Sequence, residues 1–67
     1  MEETLGDRLR MYRTKKRMSQ EDLAKASGVS RQTIAKIEIG AIKSSTSATI
    51  VKLAKALDVA MDSLFLL

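Results

Sequence analysis

Apolar side chains recur along this chain at helical spacing. Leu5, Leu9 and Tyr12 fall at i, i+4 and i+7, and Ile50, Leu53, Ala54 and Leu57 keep the same period in the second half. Polar punctuation separates the stripes. Thr4-Leu5-Gly6-Asp7 has the form of a capping box, as does Ser19-Gln20-Glu21-Asp22, so each predicts a helix start. The second helix carries Leu23, Ala24 and Ser27 inward and stops at Gly28, a residue that takes positive φ without a Cβ clash. Ser30 then caps a third helix over about Arg31 to Ile39, which buries Ile34 and Ile37 and turns Arg31, Gln32, Thr33 and Lys36 outward. Gly40 ends it, and Ala41 to Ser45 form the longest loop. Thr46 or Ser47 caps a fourth helix, and a short fifth starts at about Met61 and carries Leu64 and Phe65.

Composition narrows this further. Sixty-seven residues, 45% of them hydrophobic, make one small core, so the whole chain, 1–67, reads as a single domain. The absence of Pro and the small number of Gly, three, favour an all-α fold. With no Cys and no His there is no thiol nucleophile, imidazole base, disulfide or common zinc site. The carboxylates Glu21, Asp22, Glu38, Asp58 and Asp62 form no converging pair, and no Gly-rich phosphate loop is present, so neither an enzyme nor a cofactor or metal site is expected. No apolar run reaches the length of a membrane span, and Met1-Glu2-Glu3 lacks the order of a secretion signal; the expected location is the cytoplasm.

The net charge of +4 is unevenly spread: residues 1–7 carry −3, residues 8–43 carry +7 and the remainder balances. A cationic face in the first two-thirds suits a polyanion, although a solvated basic helix would look the same. The most informative stretch is Gln20 to Ile39. Two short helices that cross steeply need a small residue such as Ala24 at the crossing and Gly28 at the turn, with Val29, Ile34 and Ile37 locking the angle. The outer face of the third helix then becomes a ridge that fits the DNA major groove, where Arg pairs with guanine and Gln with adenine through two hydrogen bonds each.

The pattern Ser19-Gln20-x-x-Leu23-Ala24-x-x-x-Gly28-Val29-Ser30-x-x-x-Ile34-x-x-Ile37-Glu38-x-Gly40, followed by Lys52-Leu53-Ala54-x-x-Leu57 and Val59, resembles the XRE-type helix-turn-helix family, the DNA-binding domains of Cro and the phage repressors. The likeness runs over residues 4–66. It implies a compact five-helix, lambda-repressor-like fold with the helix-turn-helix in helices 2 and 3, the latter entering the major groove. It further implies base reading by Arg31, Gln32 and Lys36, and backbone contacts from Gln20, Ser30, Thr33, Arg13, Arg17 and Lys43, with Ser30 and Thr33 either capping the helix or touching phosphate. Arg13 and Glu38 match a pair that forms a salt bridge in relatives carrying both. Three positions depart from the pattern: Ile39 stands where Asn is usual, Ser45 where Pro is usual, and Arg17 where Gly is expected after the first helix.

The run Leu64-Phe65-Leu66-Leu67 is too apolar for a tiny domain to cover alone, unless it folds back on its own core. A homodimer on the fourth and fifth helices, with Ile50, Leu64, Phe65, Leu66 and Leu67 at its interface, would set two recognition helices about 34 Å apart, one turn of DNA. Two functions follow. One is a sequence-specific transcriptional regulator that binds a palindromic operator in double-stranded DNA as a homodimer. The other is an antitoxin-like or adaptor protein whose main partner is another protein, held by the apolar tail with Ile39, Ala41 and Ile42.

Overall fold

A computed structural model describes residues 3–42 and 46–64 of the 67. Helices α1 (Leu5–Lys15), α2 (Gln20–Ser27), α3 (Arg31–Glu38), α4 (Ser47–Leu57) and α5 (Met61–Leu64) follow one another, and no strand occurs among the described residues. Both capping boxes form. Thr4 Oγ1 accepts from the Asp7 amide at 3.1 Å while Asp7 Oδ2 accepts from the Thr4 amide at 3.1 Å. Ser19 and Asp22 exchange the same two bonds at 2.9 and 3.0 Å. The Ser19 backbone amide first, and the neighbouring Ser19 hydroxyl next, hold the exposed Asp22 carboxyl below its ordinary range. Ser30 caps α3 through the Thr33 amide, and of the two candidates Thr46 caps α4.

The helix ends follow from backbone chemistry. Gly28 at φ +79° and Gly40 at φ +84° take the left-handed conformation that stops α2 and α3. The ends of α1 and α4 adopt that conformation without glycine, at Arg17 and Asp58, both at φ +56°. At the end of α1 the Met18 amide donates to Arg13 O and the Arg17 amide to Thr14 O, which is the Schellman arrangement with Arg17 in the left-handed position.

Leu9, Leu23, Ile34, Ile37, Ile50, Leu53, Leu57 and Leu64 are all removed from solvent, so every helix contributes to one core. Tyr12, Met18 and Met61 pack against its edge. Helix α3 lies against both α1 and α2, and α4 closes the other side against α2 and α5. Helices α1 and α3 approach backbone to backbone at Gly6. A Cβ there would collide with the carbonyl oxygen of Ile37 and crowd Cα of Glu38, so α1 and α3 meet with nothing between them. Ala24, expected where α2 and α3 cross, is half-buried and packs against the core.

This packing corrects the expected dimer surface. Ile50 and Leu64 have no exposed area because both fill the domain's own core, so neither side chain can meet a second copy. Phe65, Leu66 and Leu67, like Lys43, lie outside the described residues. No helix among the described residues is long and apolar enough to cross a membrane.

Candidate nucleic-acid interface

Helix α3 turns Ile34, Ile37 and Glu38 inward, and at roughly 100° per residue this sends Gln32 and Lys36 to the opposite side, while Arg31, seven residues before Glu38, lies at the edge of the helix that faces α2. All three polar side chains are exposed, and among the described residues none makes a side-chain hydrogen bond or ion pair. Their tips are therefore free to meet a ligand. Ser30 is also exposed, but its hydroxyl serves α3: it accepts from the Thr33 amide at 3.1 Å and bonds Thr33 Oγ1 at 2.8 Å. Both residues act as the cap of the helix in this structure.

The opposite face of α3 carries one buried charge. The Glu38 side chain is 1% exposed and receives Arg13 Nε at 2.7 Å and Arg13 Nη2 at 2.9 Å, a bidentate pair. Gln20 Nε2, from the first turn of α2, donates to Glu38 Oε1 at 3.2 Å. Arg10 Nε lies 3.7 Å from the same oxygen. Burial works against the ionised carboxylate, yet the hydrogen bonds from Arg13 and Gln20 and the charges of Arg13 and Arg10 outweigh it and hold the pKa below the ordinary value. The Arg13 guanidinium is correspondingly raised, chiefly by its hydrogen bond to Glu38. The expected Arg13–Glu38 bridge is thus present, and Gln20 joins it. One carboxylate ties α1, α2 and α3 together behind the exposed face.

Arg13 has a further engagement, donating Nη1 to Met18 O at 2.8 Å, and its side chain is 13% exposed. Its guanidinium is held inside the domain rather than presented outward, against the expectation that it lies on a DNA backbone. Arg8 and Arg10 are similar in kind and were counted only as part of a cationic face. Arg8 Nη1 donates to Ser63 O on α5 at 3.0 Å, and Arg10 Nη2 donates to Glu38 O at 2.9 Å. No local pattern distinguishes an arginine that will find a distant carbonyl from one that will stay in water. Lys15, Lys16, Arg17, Lys25, Arg31 and Lys36 are exposed and, among the described residues, make no side-chain hydrogen bond or ion pair; Arg10 is exposed as well but is engaged with Glu38.

Arg31 stands between two shallow open hollows. Arg13, Ser19, Gln20 and Glu21 complete the first, at the α2 N-terminus. The second runs past Ala24, Lys25 and Gly28 to Val29 and Ser30. Of the residues suggested beside the tail for a protein partner, Ile39 is 73% exposed and Ala41 is exposed, whereas Ile42 packs against the core.

A family model described as Helix-turn-helix matches residues 9–64 of the chain. An uncharacterized HTH-type transcriptional regulator of Methanocaldococcus jannaschii is 42% identical over 62 residues, 92% of each chain. The restriction-modification controller protein C.AhdI from Aeromonas hydrophila is 43% identical and superposes with a TM-score of 0.84 over 91% of each chain. The N-terminal DNA binding domain of SinR from Bacillus subtilis is 28% identical, with a TM-score of 0.87 over 90% of this chain and 87% of that one. SinR has also been solved in complex with DNA. Five helices in this order, a glycine turn between α2 and α3, and likeness along nearly the whole chain agree: the protein belongs to the XRE-type helix-turn-helix family.

Proposed function

We propose that this protein is a sequence-specific transcriptional regulator that binds a palindromic DNA operator as a homodimer. Helix α3 lies in the major groove, with Arg31, Gln32 and Lys36 reading base edges. The observation that carries this reading is the contrast between the two sides of α3. Three unengaged polar tips face solvent while the other side is locked to α1 and α2 through Glu38. Side chains on so rigid a mount keep the orientation that paired hydrogen bonds to a base require. The DNA complex of the related SinR domain supports the same class of ligand.

Arg17 and Lys43 contact phosphates, and Gln20 approaches the backbone beside the first hollow. Ser30 and Thr33 present the helix start to a phosphate. Arg13 acts through Glu38 as a brace. The dimer is argued from size. The domain measures 29 Å in its longest dimension and offers one recognition helix, so two half-sites about 34 Å apart need two copies. The copies meet through the α4–α5 end and the apolar run Phe65-Leu66-Leu67 that follows it.

Selection of binders from random duplexes, with sizing of the complex, tests this. An enriched inverted repeat carrying two chains per duplex is the expected result, and no enrichment overturns it. On the selected duplex, Arg31→Ala or Gln32→Ala weakens binding by about 1–3 kcal/mol and relaxes preference at one position per half-site. Equal loss on every sequence would remove that residue from the reading set.

A further inference from the structure

The end of a helix leaves its last four carbonyls to find donors beyond the regular ladder, and for α3 these are Ala35, Lys36, Ile37 and Glu38. Backbone amides satisfy three. Ile39 donates to Ala35 O at 3.0 Å, Ile42 to Lys36 O at 3.1 Å and Gly40 to Ile37 O at 3.1 Å. The fourth, Glu38 O, receives Arg10 Nη2 at 2.9 Å. The C-cap residue Ile39 has no polar side-chain atom with which to help. Arg10 and Arg13 sit three apart on α1 and so share a face. Arg10 takes the carbonyl of Glu38 while Arg13 takes its carboxylate. The same residue is gripped at main chain and side chain from one helix, a turn away from Gly6, where α1 and α3 touch.

We propose that Arg10 is a positioning residue for sequence reading: it holds the C-terminal end of α3 through the Glu38 carbonyl and thereby fixes the seat of Arg31, Gln32 and Lys36 in the groove, without contacting DNA itself. This rests on the reading of α3 as the recognition helix. A cation at a helix C-terminus also complements the helix dipole, so both the bond and the charge of Arg10 favour this placement. The competing role for a guanidinium whose side chain is 52% exposed is a phosphate contact. Salt dependence separates the two, because removing one phosphate contact from each copy of the dimer lowers the slope of log K against log salt by about 1.8, and removing a brace does not.

The experiment measures binding of the full chain and of Arg10→Met to the selected duplex and to a scrambled one across salt, with NMR of the free proteins. In Arg10→Met, specific affinity falls about tenfold, the scale of one charge-assisted hydrogen bond, while scrambled-duplex affinity and the salt slope stay close to wild type. In the free variant the Glu38 carbonyl carbon shifts and the Gly40 and Ile42 amides exchange faster. Equal loss on both duplexes with a shallower slope, unchanged affinity, or an unmoved Glu38 carbonyl signal would each overturn the proposal. Where Arg10→Met does not fold, Arg10→Gln carries the test, since it keeps a donor and loses the charge: an unchanged salt slope supports the brace and a slope shallower by about 1.8, one phosphate per copy, overturns it. A wild-type chain that enriches no duplex defeats the recognition reading itself. That failure is visible without any variant, and the role of Arg10 in sequence reading falls with it.

Discussion

Arg17 occupies the left-handed region at φ +56° in the position of the α1 Schellman turn where glycine is most at ease. A Cβ in that conformation costs about 1–2 kcal/mol. Replacing Arg17 by Gly relieves it, and the greater freedom of glycine in the unfolded chain returns part of the gain, about 0.4–1 kcal/mol. The expected outcome is a net stabilisation near 0.5–1 kcal/mol, or a rise in melting temperature of about 2–6 °C for a chain of this size. Thermal unfolding followed by circular dichroism checks it, and a lower melting temperature in Arg17→Gly would mean that the turn is not strained. The same variant removes an exposed cation at the α1–α2 corner, so under the proposed function it binds DNA more weakly while folding better. That opposition between stability and binding is what a surface residue kept for its ligand produces.

At the level of elements, the contact that sets α3 is its crossing with α1 at Gly6. Substituting Ala there gains up to about 1 kcal/mol of helix propensity but drives a methyl group into the Ile37 carbonyl and against Glu38 Cα, and a clash with backbone has no rotamer to escape into. Gly6→Ala is expected to destabilise by about 2–3 kcal/mol, read from urea midpoints, and to disturb the Arg13–Glu38 pair on the same segment. A neutral effect would show that α1 can slide. Much of this architecture was legible beforehand. Thr4, Ser19 and Ser30 announce helix starts because a hydroxyl before an apolar stripe has a local job, and Gly28 and Gly40 announce the ends. The departure at Arg17 marked a left-handed position because the requirement belongs to the turn and not to the residue. The sequence shows Gly6 only as a position within a capping box, since a close approach depends on a partner about thirty residues away. Ile50 and Leu64 were assigned to a second copy for the same reason: periodicity marks an apolar face and is silent on what covers it. The resemblance marks the Arg13–Glu38 pair, whereas Arg8 and Arg10 count in the sequence only as cationic charge, and only the fold reveals that these two are engaged with Ser63 and Glu38.

For the molecule as a whole, the Glu38 cluster links protonation to folding and the remaining cations link salt to binding. The folded pKa of Glu38 lies below its ordinary value of about 4.3, so its contribution to stability is fully present above that value and is lost as pH falls through the folded pKa. Asp22 shifts in the same direction and adds to the same acid loss. Glu38→Gln is therefore expected to be about 3 kcal/mol less stable at neutral pH, with Arg13 left without its partner, and to show a flatter decline below pH 5 than wild type. Parallel acid profiles would remove Glu38 from that role. Salt dependence tests the assembly. With the three α1 arginines engaged within the domain, each copy presents Lys15, Lys16, Arg17, Lys25, Arg31 and Lys36 unengaged from the segment before the loop, and some of these read bases rather than phosphates. About 3–5 phosphate contacts per copy give about 6–10 for a dimer, and affinity should fall by about 10³ to 10⁵ between 50 and 200 mM salt. A single bound copy would show about half that logarithmic slope. Titration of the selected duplex at several salt concentrations, together with the mass of the complex, thus measures the number of copies by two independent routes. A shallow slope with one chain per duplex would leave α3 as a reader of one half-site and end the case for a dimer.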